Sequence, residues 1–587
     1  MRRDERSNPP SRYSRSVVTE WMPLLFLAAV LGWMATDGVW ARPGSEIIAG
    51  SGDAIQGVWQ LGLVAHNVQH LTNPLFTTLA NFPNGVNLAW NNPSLSLAVV
   101  FTPLTLLVGA IASFNILLLL SLIANAIAMF ALLNYLQSNR WLALVGALLF
   151  EINPFVLEQL DGGHLFFVAL FLLPLIILVT LKGLAANSKQ RRYYGLLLAL
   201  CLVAQFYLAQ ELLLLGVCVG IIYLILVAIF DIASLRGIKH ASLQLALWAI
   251  PLAAIFILPG VWFLLLGPGA VHGDPLLPLG ATPLTWITPS PANYLFQPWM
   301  IGAVRRAYAT NPTEIPATYI GIIAIGAVLL GLATRWRDKT LRVIGLTTLV
   351  GLVLTLGESL KLRAVTVPLP GAVFHYLPLL RDLVLPRFIV FADLAFIVFV
   401  VLLLAQLKMR PLFLLGSIAL LLVSWMPQLA GASPVSISGM PNNLPVASSQ
   451  SILFLPYIYW TDADAGLLQQ AESQFRYALS DGYYTSGQYK FPTDYGNTPS
   501  LFTRSLIAEE YDQSTPVWQN SVTASAWQYI MAHRVEVILL SNTSGFQEPI
   551  HDQRVMTWLT KLLHVSWHRD GGYWELKISS RLGAPGG

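Results

Sequence analysis

A polytopic α-helical membrane protein is the fold class this sequence predicts, with about eleven crossings, one re-entrant segment and a small extracytoplasmic α/β domain at the C-terminal end. Three observations carry the prediction. Only 11% of the 587 residues are charged and 55% are hydrophobic, whereas a soluble domain carries about 25% charged residues. The apolar residues come in runs, among them Met22–Ala35, Ile116–Leu136, Leu165–Leu181, Leu212–Phe230 and Phe388–Leu407, and one bilayer crossing needs about 20 residues. From about residue 431 onward the composition becomes that of a soluble protein. Backbone in hydrocarbon must satisfy its own hydrogen bonds, so the runs read as helices. The short alternating segments of a membrane β-barrel do not occur.

Taken in order, residues 1–16 form a basic cytoplasmic tail that holds Arg2, Arg3, Arg6, Arg12 and Arg15. The next stretch, Trp21–Trp40, is long for the apolar region of a signal peptide, so an uncleaved first helix is expected. The transmembrane part, 17–430, contains candidate spans at 19–38, 94–111, 115–136, 141–155, 164–182, 194–210, 212–230, 242–266, 317–334, 342–358, 387–407 and 411–429. Lys and Arg in short loops mark the cytoplasmic side. Arg140, the Lys189-Arg191-Arg192 group, Arg236 and Lys239, the Arg335-to-Arg342 loop, and Lys408 with Arg410 are such markers. If all twelve segments crossed, Arg140 would fall outside. The conflict vanishes if 94–111, interrupted by Pro103 and ending near Gly109, enters and leaves on the outer side.

Three stretches then face outward. The first loop, 39–93, is rich in Asn, Gly and Pro, and the second, 268–316, holds Trp286, Tyr294, Trp299 and Arg305-Arg306. The third is 431–587, which opens with the linker Gly431–Pro445. In it Ser451–Ile458 and Val535–Ser541 read as buried strands and Gly572–Ser579 as an edge strand. Asp464–Leu479 and His551–Leu563 read as helices. A net charge of +4 gives no reason to expect nucleic acid as a partner. Cys201 and Cys218 sit in apolar runs and read as packing residues.

The order of features resembles the multi-spanning GT-C glycosyltransferases, and is especially similar to bacterial members that include the YfhO-like group. The residues that carry the likeness are Gly50-Ser51-Gly52-Asp53-Ala54-Ile55-Gln56-Gly57-Val58-Trp59, Asn73-Pro74-Leu75-Phe76 and Phe82-Pro83-Asn84-Gly85. Further on they are Glu151-Ile152-Asn153-Pro154-Phe155, Gly163-His164-Leu165, Leu385-Pro386-Arg387-Phe388 and Leu453-Phe454-Leu455-Pro456. The resemblance implies a GT-C-like transferase of the cell envelope. It would move a hexose or pentose, with inversion, from a polyprenyl-phosphate donor to a glycan, lipid or protein acceptor, with membrane lipid as a further partner. No cofactor is assigned. A divalent metal stays open, because the paired acidic motif of some members is absent around Asp53, and no metal ligand is assigned.

Asp53 is the candidate base: a carboxylate can take the proton of an attacking hydroxyl. Its flanking glycines let backbone approach a ligand, and capping of the helix that begins at Ala54 is compatible with that role. Glu46 is a candidate second carboxylate, with a solvated loop charge as the alternative. Asp161 and His164 form a polar cluster before a spanning helix, which is a site hypothesis by default. His66 and His70 share a helix face but have no third ligand nearby. Arg387, with Arg305 and Arg306, is the candidate for holding the donor phosphate. Tyr457, Tyr459, Trp460, Tyr483, Tyr484 and Tyr489 give the C-terminal part an aromatic character suited to core or to sugar stacking. The competing functions are a lipid or glycan transporter or flippase, and a non-catalytic scaffold that presents the outer domain. Gln205, Gln210 and Glu211, polar residues between two apolar runs, are the feature that fits a transporter best.

Overall fold

Apolar runs decide where helices form in this chain, and a few backbone breaks decide where they turn. The structure, a computed structural model, describes residues 13–48, 52–91, 94–270, 280–300, 316–362, 365–377, 380–381, 383–407, 411–428, 435–436, 450–457, 465–482, 484, 500–510, 520–541, 552–570 and 573–578. Among them, six helical stretches are long and apolar enough to cross a bilayer: Ala110–Leu136, Arg140–Asp161, Leu165–Ala185, Ser188–Leu265, Pro316–Arg335 and Leu385–Gln406. Trp21–Ala35 and Leu412–Ser424 are shorter apolar helices. The chain is a polytopic helical membrane protein. Arg140–Asp161 and Leu385–Gln406 lie at the centre of the bundle, while Ser188–Leu265 exposes most of its apolar surface. Close helix approach depends on small residues. A methyl group at Gly146 would meet Val401 at 2.8 Å, and one at Gly331 would meet Phe399 at 2.6 Å.

Helix α1 (Tyr13–Ala35) packs Trp21 edge-on against Phe130 at 5.1 Å. Strand β1 (Glu46–Ile47) follows it, then helix α2 (Gly52–His70) and the short hairpin β2 (Phe76–Thr77) with β3 (Val86–Asn87). The expected re-entrant segment is two short helices, α3 (Leu95–Val100) and α4 (Thr102–Val108). Phe101 breaks the first and Pro103 sits at the start of the second. Gly109, at φ +84°, turns the chain into α5 (Ala110–Leu136). Neither short helix approaches the length of a crossing.

Two expected spans are interrupted. The 141–155 segment ends as α6 (Arg140–Glu151), and α7 (Pro154–Asp161) restarts on the Asn153 cap, with Pro154 at the position where a missing N–H costs nothing. The 164–182 segment is split into α8 (Leu165–Val168) and α9 (Leu172–Ala185). Helix α10 (Ser188–Leu265) contains non-helical backbone at Ala209 and Asp231. Its first and last thirds pack side by side in the same direction: Gly195 lies against Trp248, and Gly260 against Phe206 and Tyr207. Two stretches of one chain can lie parallel only if a third returns between them, so the two breaks are chain reversals, as the polar Gln205–Glu211 region suggested.

Beyond the hairpin of β4 (Ser359–Leu362) with β5 (Val365–Pro368) and the short strand β6 (Val435–Ser436), the C-terminal part holds a five-stranded sheet in the order β10 (His568–Asp570), β11 (Tyr573–Lys577), β9 (Val535–Ser541), β7 (Ser451–Leu455), β8 (Ala478–Leu479). Strand β7 pairs parallel with β8 and β9, and β11 runs antiparallel to β9. Side chains alternate between faces along each strand. Leu453, Leu455, Ile538 and Leu540 pack with helices Leu501–Glu510, Asn520–Ala532 and Asp552–Leu563. Ile452, Phe454, Val537 and Leu539 face the other way and are continuous with the core of the helical bundle.

Three sequence expectations change here. The 572–579 strand is internal, because β10 pairs on its outer side. The 464–479 helix is only Ala465–Glu472, since Gln474 and Phe475 take positive φ and release the chain into β8. Strand 451–458 stops at Leu455, ahead of Pro456, which has no N–H for a ladder.

The sheet and the first long loop are joined. Leu479 N–H donates to Leu79 O at 2.9 Å and Phe82 N–H to Leu479 O at 3.0 Å, so the loop continues the sheet past β8. Trp59 Nε1 donates to Gln470 Oε1 at 2.6 Å, and Gln470 Nε2 donates to Leu79 O and Tyr477 O, both at 2.7 Å. Strand β1 pairs antiparallel with Val435–Ser436. The first loop and the C-terminal sheet therefore occupy one face of the molecule.

Candidate active site

Asp53 lies in the first turn of α2, where a carboxylate is favoured by the positive end of the helix dipole. The chain that leads to it is pinned by Asn115, a fully buried amide in the apolar helix α5. Asn115 Nδ2 donates to Pro43 O at 2.9 Å and to Glu46 O at 2.7 Å, and its Oδ1 accepts from Ile48 N at 3.4 Å. One side chain thus satisfies three groups of an irregular loop.

His164 meets Asp53 from the other side. Gly163, at φ +72°, makes the turn after α7, and His164 N donates to Gln159 O at 2.9 Å. His164 Nε2 then lies 2.9 Å from Asp53 Oδ2, and Nδ1 lies 2.6 Å from Gln159 Oε1. Among the described residues Gln159 Nε2 is buried without a partner. A carboxylate only accepts, so the His164 Nε2–H donates to Asp53. The His164 side chain is 9% exposed and that of Asp53 39%. The imidazole is the buried support and the carboxylate the accessible group.

Arg387 stands in the short turn Leu385–Phe388, at the head of the Ile389–Gln406 helix. Its guanidinium lies over the Phe167 ring, 4.1 Å from the centroid, and the same ring meets His164 edge-on at 6.1 Å. The α8 turn therefore touches both candidate groups. Arg387 also pairs with Glu211, and the two side chains are 14% and 15% exposed. Glu211 Oε1 accepts from Val384 N at 2.8 Å. Two residues upstream is the Ala209 reversal, whose carbonyl accepts from Gln205 Nε2 at 3.2 Å. Gln210 Nε2 donates to Ala89 O at 2.7 Å. A narrow crevice open to solvent lies beside Gln210, lined by Leu75, Ala89, Leu95, Phe206, Tyr207, Gly260 and Leu264.

The other candidates lie elsewhere. Glu46 pairs with Arg42 at 3.8 Å. Asp161 closes α7 with its side chain in solvent, three residues from His164 but on the exposed side of the turn. Arg305 and Arg306 lie outside the described residues, as do Tyr459, Trp460, Tyr483 and Tyr489. His66 and His70 stack at 4.2 Å and His66 packs on Phe475 at 5.3 Å, so the pair belongs to the contact with the C-terminal part. Burial, with the neighbouring His70, lowers the His66 pKa. Tyr457 and Tyr484 are buried, which is the core reading of these aromatics. Among the described residues no group of three or more His, Cys, Asp or Glu side chains converges as a metal would require.

Gln159, Phe167, Glu211 and Asn115 escape sequence reasoning as site residues. Of these, Glu211 carries the clearest signal, an ionisable group between apolar runs.

No protein-family profile matches the chain, and no curated protein sequence matches it. Solved structures do. An oligosaccharyltransferase of Archaeoglobus fulgidus, determined in complex with Zn and sulfate, superposes with a TM-score of 0.52 at 11% identity, covering 88% of this chain and 68% of that one. The arabinofuranosyltransferase AftD from Mycobacteria superposes with a TM-score of 0.50 at 13% identity, covering 98% of this chain and 42% of that one. The chain spans less than half the length of the mycobacterial protein. At these identities the likeness concerns the fold alone: this polytopic helical membrane protein shares the fold of that oligosaccharyltransferase and of AftD.

Proposed function

We propose that the chain is a membrane glycosyltransferase that moves a sugar, with inversion, from a polyprenyl-phosphate donor to an extracytoplasmic glycan, lipid or protein acceptor. The observation that carries this reading is the α8 turn, which supports the carboxylate of Asp53 through His164 and the guanidinium of Arg387 through Phe167. An acceptor hydroxyl attacks the anomeric carbon. Its oxygen forms the new glycosidic bond, and its proton goes to Asp53. The bond from the anomeric carbon to the phosphate oxygen breaks, and the polyprenyl phosphate leaves with the electron pair, facing Arg387. A phosphate is already a weak base, so it needs a cation more than a proton donor. In this reading the first loop and the 431–587 region are outside, the N-terminus is cytoplasmic, and α3 with α4 is the re-entrant segment among about eleven crossings.

The test is a transfer assay. Membranes containing the chain receive polyprenyl-phosphate hexoses and pentoses, labelled in the sugar, with a panel of glycan, lipid and peptide acceptors. Label should appear in one acceptor class with release of polyprenyl phosphate. Donor bound and stable, with no transfer to any class, would contradict the proposal.

A further inference from the structure

We infer that Glu211 is a counter-charge that holds Arg387 in place and competes with the anionic ligand of that guanidinium, so that it sets the affinity for a lipid phosphate. The inference deepens the reading of Arg387 as the donor-phosphate contact and rests on it. Glu211 uses both carboxylate oxygens on the same turn, Oε1 on the Val384 N–H and Oε2 on Arg387. The turn, the guanidinium and the face of Phe167 are thereby held in one arrangement. The helix that carries Glu211 is positioned in turn by Gln210 on Ala89 O and by Gln205 on the Ala209 carbonyl.

This geometry has two opposing effects on a phosphate. Guanidinium presents five N–H donors in a planar fork, and orientation by Glu211 and Phe167 reduces the ordering needed on binding. The carboxylate also cancels the charge of Arg387 and repels an arriving anion across a partly buried contact, where screening is weak. A Gln at 211 removes the repulsion and keeps one acceptor oxygen, which can serve the Val384 N–H, while its NH₂ replaces the oxygen that faced Arg387. Glu211 is therefore a positioning residue whose charge weakens the ligand complex and eases product release.

Binding of a short-chain polyprenyl phosphate to the full chain in nanodiscs tests this, with a thermal melt of every variant as the check on folding. Glu211→Gln should bind about tenfold more tightly than wild type, the order expected from removing one like charge at a partly screened contact. Its affinity should also fall more steeply with salt. Glu211→Asp, which keeps the charge, should stay near wild type. Arg387→Ala should lose binding, and in that background Glu211→Gln should have no effect, the signature of a coupled pair. If Arg387→Ala loses binding but Glu211→Gln binds no more tightly than wild type, the counter-charge role is overturned and the phosphate reading of Arg387 stands. If Arg387→Ala binds as wild type does, the phosphate reading itself fails.

Discussion

His164 holds the carboxylate of Asp53 from a turn buried beneath it. Asp53 and His164 are separated by more than a hundred residues, and nothing in either segment names the other. The sequence marks both as candidates because each is a polar group beside glycines at the edge of an apolar run. It cannot show that they share one hydrogen bond of 2.9 Å. Arg387 was legible as a cation at the head of a helix, but its neutralisation by Glu211 was not, since that contact depends on the reversal at Ala209. At this scale the account predicts the behaviour of His164→Ala. Without the Nε2 donor, Asp53 loses its fixed orientation, and misplacement of a reacting group by about 1 Å costs on the order of 10²-fold. The turnover number should fall by about that factor while the KM for donor changes little, because Arg387 keeps its contacts with Phe167 and Glu211. A proportional rise in donor KM with unchanged kcat would assign His164 to binding instead.

Elements were legible where period and length agree. The long apolar helices and strand β9 fall where composition puts them. The misses have two causes: local breaks such as Pro456 and the Asn153-Pro154 restart, and tertiary pairings. Strand β8 lies between β7 and the backbone of Leu79 and Phe82 from the far end of the chain, and such a pairing has no local signature. The joint between α2, its loop and the sheet contains His533, whose Nδ1 lies 2.8 Å from Phe82 O. Burial lowers the His533 pKa from its ordinary 6.5, partly offset by the bond to Phe82. A lowered histidine pKa means that the unfolded or undocked state binds protons first. Stability from this group is complete above about pH 6.5 and is lost as the pH falls toward the folded value. His66 shifts in the same direction and adds to the loss. Limited proteolysis of the sheet region should therefore be slow and constant from pH 8 to 7 and accelerate below about 6.5. His533→Gln should flatten that pH dependence, and an unchanged profile in this variant would remove His533 from the joint.

Over the whole molecule, the charge bias of short loops makes a claim about sides, and the packing shows which stretches share a face. Strand β1 pairs with Val435–Ser436, and the first loop extends the C-terminal sheet, so both belong to one face. The opposite end carries Asp231 paired with Lys339 at 2.8 Å and Arg342 over the Phe230 ring at 4.3 Å, which is the basic end that sequence reasoning assigns to the cytoplasm. Cysteine labelling of intact cells can test the sides, in a background with Cys201 and Cys218 replaced. Met531→Cys, at an exposed position in the sheet region, should react with an impermeant maleimide, and Ser188→Cys should react only after lysis. The reverse pattern would invert the topology and with it the extracytoplasmic acceptor.

The most direct test of the central claim is the single-turnover rate of sugar transfer by Asp53→Asn, measured in membranes at saturating donor. Asn keeps the size of the side chain and can still hydrogen-bond to His164, but it cannot take the acceptor proton. The account predicts a rate lower by about 10²–10⁴-fold, the usual contribution of a positioned general base, with donor binding and the thermal melt unchanged. A rate equal to that of wild type would show that Asp53 is not the base.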